Sequence, residues 1–184
     1  MGDELTPEQV AALVEQIDRG SDPYELPQAL IEEPEPSTAP PAAEEEVNRS
    51  LYYQILQMKV GEKLKAALKG NRDARAILVR DSNRMVARFV LQNPRITDDE
   101  IVGIARNRNL DTDILRIVGE HKEWSHNPQV RSALVSNPKT PVAIALRCVN
   151  SLSERELRLL AKSKNISSAV ASSAKRLLIQ RTGH

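Results

Sequence analysis

From about residue 60 onward, apolar side chains recur at spacings of one, three and four. Met85, Val86, Phe89 and Val90 form one such group. Ile101, Val102, Ile104 and Ala105 form a second, Ile114, Leu115, Ile117 and Val118 a third, and Leu157, Leu159 and Leu160 a fourth. That spacing places one stripe along a helix, so each group predicts a short amphipathic helix. Helix starts are expected near Val60, Arg72, Arg84, Thr97, Asp111, Asn127, Pro141, Ser153 and Ile166, about 13 residues apart. A helix of some ten residues is marginal alone, and it persists only by burying its stripe on a neighbour. The expected fold class is therefore all-α, a right-handed α-solenoid of short stacked helices, over residues 47–184.

The breaks between helices are marked by Asn-Pro pairs at 93–94, 127–128 and 137–138. Proline disfavours the helical conformation at the residue before it, and asparagine bonds its own backbone through a turn. Each pair therefore reads as punctuation that ends one helix and permits the next, with Thr140 expected to cap the helix after 137–138. Ahead of the repeats, "TPEQVAALVEQIDRG" (6–20) carries its own helix signals. Thr6 serves as N-cap, Pro7 as first residue, Gln9 completes a capping box and Gly20 is the stop. Val10, Leu13 and Ile17 give that helix, within residues 1–20, a narrow apolar stripe that needs a surface to lie on. Residues 21–46 hold six prolines and many glutamates. Their low apolar content predicts a disordered or extended linker.

Two segments align internally. "IARNRNLDTDIL" (104–115) and "LAKSKNISSAVA" (160–171) share apolar, Ala, basic, small polar, basic, Asn and apolar positions. With "SNPKTPVAIAL", "QNPRITDDEIVGIA" and "GNRDARAILVRDSN", the stretch from about 52 to 181 resembles the leucine-rich repeat variant class of bacterial helical repeats. More loosely it resembles HEAT-type repeats, and it is similar to a group of uncharacterised bacterial proteins. The resemblance implies an α-solenoid and assigns no activity. Variant-repeat proteins that hold an iron-sulfur cluster do so through a separate group of cysteines, and the single Cys148 cannot reproduce it.

Charge divides the chain. Residues 1–58 carry two basic and 13 acidic side chains, and residues 59–184 carry 24 basic and 12 acidic, so the net +1 hides an acidic arm and a basic body. Arg155, Arg158 and Lys162 fall on one helical stripe, and Arg84 and Arg88 on another. Arg106 and Arg108 occupy the positions that Lys162 and Lys164 hold in the aligned unit. Stacked repeats would join such positions into a positive surface for an acidic partner, for the chain's own arm, or for nucleic acid phosphate. Arg80, in the polar turn "RDSNR", and Trp124 are the candidate anchors, Trp124 otherwise reading as a wedge between repeats.

Little points to chemistry. His121 and His126 lie five apart with no third or fourth ligand beside them, and the glycines are isolated, so no metal, cofactor or phosphate loop is expected. A lone cysteine and the absence of a long apolar run suit a reducing, cytoplasmic setting with no membrane association. "MGDELT" formally fits a myristoylation pattern, but Asp3 and Glu4 oppose it. The expected function is a non-enzymatic protein-protein interaction or adaptor module that uses the basic face and is covered by its own acidic arm. The alternative is a nucleic-acid-binding solenoid gated by that arm, which the scarcity of aromatics for base stacking disfavours.

Overall fold

The computed structural model of the chain describes residues 6–34, 41–163 and 165–182, without the side chains of 41–46, 48 and 182. The myristoylation-like start, the middle of the expected linker, Lys164 and His184 lie outside the described residues. Among the described residues every regular element is helical. In chain order these are α1 (Pro7–Arg19), α2 (Pro41–Gln57), α3 (Val60–Lys69), α4 (Arg72–Leu78), α5 (Arg84–Val90) and α6 (Asp98–Arg106). There follow α7 (Thr112–Glu120), α8 (Pro128–Ser136), α9 (Val142–Val149), α10 (Glu154–Lys162) and α11 (Ser168–Thr182). The starts expected at Val60, Arg72 and Arg84 are met. Thr97, Asp111, Asn127 and Ser153 are N-caps, one residue before the helix, and each accepts from a first-turn amide.

The chain divides into two compact units at Ile96 and Thr97. In the first, α1 lies on α3, α2 on α4, and α3 on α4 and α5. Its centre holds Leu64, Leu78, Val86 and Val90, all fully buried, together with Ile55. In the second, α6 packs on α7 and α8, α8 on α9, α9 on α11, and α10 on α11. Ile101, Leu115, Val118, Leu134 and Leu157 are among its fully buried members. Each short helix thus buries its stripe on neighbours, as its length requires.

The arm departs from expectation. Thr6 and Gln9 form the capping box, and Gly20 adopts the left-handed φ of 68° that lets the chain turn off α1. Val10, Leu13 and Ile17 are buried. Residues 21–34, within the stretch expected as a disordered or extended linker, run against α3 and α4 through a 3₁₀ turn at Gln28–Leu30 that buries Leu30 completely. Gly61 makes room for them, since a methyl there would collide with the Tyr24 ring. Proline and glutamate content hid an apolar residue at the one position facing the core.

A recurrent device ties helices across the turns. Several helices end in extended backbone, as at Gly70, Asn107 and His121, so their last carbonyls lack the glycine cap that would satisfy them. Side chains from farther along the chain donate to them. Asn93 Nδ2 donates to Ala67 O (2.9 Å) and Gly70 O (3.1 Å), while its Oδ1 accepts from Arg95 N (2.9 Å). Asn137 repeats this with Ala105 O (2.8 Å), Asn107 O (3.0 Å) and Lys139 N (3.0 Å). Arginines do the same: Arg75 to Gly70 O (2.9 Å), Arg147 to Gly119 O (2.7 Å), and Arg181 to Leu152 O (2.6 Å) and Asn150 O (2.7 Å). A cation at a helix C-terminus also meets the negative end of its dipole.

The three Asn-Pro pairs are therefore not equivalent. Asn127 caps α8 from Gln129 N (2.9 Å), and Pro128 starts that helix, as expected. Asn93 and Asn137 are buried staples, and the helices after them begin several residues later. Thr140 does not cap α9. Pro141 takes that position, and the Thr140 hydroxyl is buried without a hydrogen-bond partner.

Candidate functional site

The expected basic residues lie on several elements. Arg80 is exposed in the turn after α4, and Arg84 and Arg88 are exposed on α5. In that turn Asp81 accepts from the Asn83 amide (2.8 Å) and pairs with Lys63 of α3 (2.8 Å), and Asn83 caps α5 from Met85 N (3.0 Å). The polar cluster "RDSN" is thus largely local architecture. Trp124, read as a wedge or an anchor, is 8% exposed, and its ring stacks on His121 with centroids 3.8 Å apart. It fills space inside the second unit.

In that unit Arg106 ends α6 and Arg108 follows in the loop, both exposed. Arg155, Arg158 and Lys162 form one exposed stripe of α10, where Arg158 pairs with Glu154 at 3.3 Å. About 100° around the helix, Glu156, Leu159 and Ser163 face a cleft completed by Ser132 and Ser136 of α8, Leu160, and Arg108. This cleft encloses about 210 Å³. Pockets that engulf drug-sized ligands run to roughly 300–1,000 Å³, so this one suits one or two side chains of a larger partner.

Local folding fixes its walls. Ser153 and Glu156 form a capping box at the start of α10: Ser153 N donates to Glu156 Oε2 (2.9 Å), and the Ser153 hydroxyl donates to the same oxygen (2.7 Å). These bonds from the Ser153 hydroxyl and amide, joined by one from Ser132, hold the Glu156 carboxyl below its usual range. Glu156 therefore stands ionised in the cleft wall. Leu159 is 66% exposed, although it belongs to an apolar run of α10. Leu157 and Leu160 point inward; Leu159, two residues from Leu157, is turned some 200° away from it. The arrangement sets a cation, an exposed aliphatic side chain and three serine hydroxyls around one depression.

Of the seven expected basic residues that the structure describes, Arg108 is the one that lines the cleft. Ser132, Ser136 and Leu159 carried no sequence signal as site residues, because serines on a helix read as surface and Leu159 read as core. No group of three or more His, Cys, Asp or Glu side chains that could hold a metal ion occurs among the described residues. Cys148 is buried, and burial pushes its thiol up and away from the reactive thiolate. Within the same limits, no helix is long and apolar enough to cross a membrane.

The arm's carboxylates meet a different set of cations. Asp22 pairs with Lys65 (2.9 Å), Asp18 with Lys69 (3.3 Å), and Glu33 with Arg75 (3.1 Å) and Arg95 (3.8 Å). Burial alone would raise the Asp22 carboxyl; the hydrogen bond from Lys65, the Tyr24 amide and the Lys65 charge together bring it below its usual value. Searches of protein-family models, curated proteins and solved structures with this chain return no match.

Proposed function

We propose that the chain is a non-enzymatic protein-protein interaction module, a helical-repeat solenoid in which exposed basic side chains engage an acidic partner. The observation that carries this reading is the α8–α10 cleft, where Arg108 borders an exposed Leu159 and serine hydroxyls. Interface centres combine an apolar anchor with arginine and satisfied polar groups in this way. A partner that inserts an aliphatic side chain beside a carboxylate would meet Leu159 and Arg108 together. Arg106 and the Arg155, Arg158 and Lys162 stripe would supply the charged rim that steers it. Nucleic acid is the weaker reading at this place, since Glu156 puts an ionised carboxylate in the wall and no aromatic ring lines it.

The test is a photo-crosslinking residue placed at Ser136 of the full chain, followed by capture from cells with and without nuclease. A defined protein adduct that survives nuclease, and that falls about tenfold when Arg108→Glu and Leu159→Ser are introduced, is the expected outcome. Adducts that vanish with nuclease would move the assignment to nucleic acid. Adducts indifferent to both substitutions would remove the cleft from the function.

A further inference from the structure

We infer that the outer face of α2, built from Arg49, Tyr52, Tyr53 and Leu56, is a docking surface for a second copy of this chain, which lays its own α2 antiparallel across it. This face belongs to the first unit and shares no residue with the α8–α10 cleft, so either reading can fail alone.

Two sides of α2 are apolar. Leu51 and Ile55 are buried and set the helix against α4. Arg49, Tyr52, Tyr53 and Leu56 follow one another at i, i+3, i+4 and i+7, which draws a second stripe along the side turned away from the first. That spacing is the mark of a face packed on another element, yet Tyr52 is 47% exposed, Tyr53 58% and Leu56 50%. Single exposed apolar residues are ordinary on a protein surface; three grouped on consecutive turns of one stripe make a patch. The two tyrosine rings meet edge to face, with centroids 6.0 Å apart, and so form one ridge. Tyrosine and arginine are also the residue types that anchor interfaces.

The occupant follows from the pattern of the helix itself. The stripe is balanced about the midpoint between Tyr52 and Tyr53, with Arg49 three residues before the pair and Leu56 three after it. A second α2 running the other way across that midpoint sets Tyr52 beside the other copy's Tyr53, and Arg49 beside its Leu56. Arg49 then lies within one turn of the other copy's tyrosine ridge, where a guanidinium gains from the ring faces. Charge selects the same direction. Glu44, Glu45 and Glu46 occupy the first two turns of α2, and Lys59 stands exposed just past its end. In the antiparallel pair the glutamates of each copy run beside the other's Lys59, and the helix dipoles oppose favourably. A parallel pair would crowd the glutamates of both copies together. The antiparallel contact uses the same patch on both copies and closes on itself, as twofold dimers do. Each copy covers roughly 300–400 Å² in it, about half of what a standard stable interface buries per partner. The dimer is therefore weak and reversible, with a dissociation constant on the order of tens of micromolar.

Sedimentation velocity of the full chain, from about 1 to 500 μM, tests this beside Tyr53→Glu, Glu46→Lys and Glu46→Lys/Lys59→Glu. The unchanged chain is expected to form a reversible dimer. Its dissociation constant should rise at least about tenfold in Tyr53→Glu and about threefold in Glu46→Lys, and fall back in the double variant. A monomer at every concentration, or a dimer indifferent to Tyr53→Glu, overturns the proposal. A double variant as weak as Glu46→Lys overturns the antiparallel pairing on which it rests. If the chain stays monomeric and Tyr53→Glu lowers its melting temperature, the face is covered by the chain itself and the proposal fails. Should Tyr53→Glu lose its helical circular dichroism, the charge exchange decides alone: recovery in the double variant supports the pairing, and its absence overturns it.

Discussion

Asn93 and Asn137 carry more of this structure than their sequence context suggests. Each is at most 4% exposed, donates twice to helix-terminal carbonyls and accepts once from the turn that follows. Truncating Asn137 leaves Ala105 O, Asn107 O and the Lys139 amide without it, and truncating Asn93 leaves Ala67 O and the Arg95 amide, since Gly70 O keeps Arg75; each group that water cannot reach costs about 1–3 kcal/mol. Asn93→Ala and Asn137→Ala are therefore expected to lower unfolding free energy in urea by roughly 2–4 kcal/mol. Asn127→Ala, which removes an N-cap, should cost only about 1 kcal/mol. Equal losses at all three positions would show that the staples add nothing beyond turn formation. An Asn-Pro dipeptide was legible as a break. Whether its side chain serves the next helix or a helix some 30 residues earlier depends on which carbonyls fold against it, and no local pattern encodes that.

At the scale of the element, helix existence was readable because periodicity and caps are local. Thr97, Asp111 and Ser153 begin helices for reasons contained in the next three residues. The face of α10 that meets solvent was misjudged at Leu159, since a run of apolar residues spreads over more than one face and only packing selects among them. The capping box of α10 supplies a pH test. The Glu156 carboxyl lies below its usual range in the folded state, so its contribution is complete above the unfolded value and is lost as pH falls through the folded one. The second unit should lose about 1 kcal/mol of stability over that acidic interval, and Glu156→Gln should remove the Glu156 part of the slope. Chemical denaturation of the full chain and of the variant between neutral and acidic pH measures it. A slope unchanged by the substitution would assign the loss to other carboxylates.

For the whole molecule, charge division suggested an acidic arm set apart from a basic body, and burial shows that part of the arm belongs to the first unit's interior. Val10, Leu13, Ile17 and Leu30 are part of the first unit's core. Each contributes about 1.5–3 kcal/mol of burial before the entropy of ordering is subtracted. Deleting residues 1–34 is expected to lower the melting temperature by about 5 °C or more, whereas Asp18→Asn, which breaks a pair 63% and 41% exposed, should shift stability by less than about 0.5 kcal/mol. Calorimetry of the two variants checks this, and an unchanged melting temperature on deletion would mean that the arm rests on the unit without stabilising it. The basic body is likewise partitioned by the fold. Arg75, Arg95, Arg131, Arg147 and Arg181 donate to main-chain carbonyls, while Arg106, Arg108, Arg155 and Lys162 stand exposed. By itself the sequence determined the helical class, the positions of nearly every helix start, the capping boxes and the split of charge, because these follow from contacts within a few residues. Tertiary structure alone decided which asparagines and arginines close the ends of distant helices, where the arm lies, and that Arg108 and Leu159 border one cleft. Those are contacts between residues far apart in the chain, and identical side chains take opposite roles according to which carbonyl or carboxylate the fold brings to them.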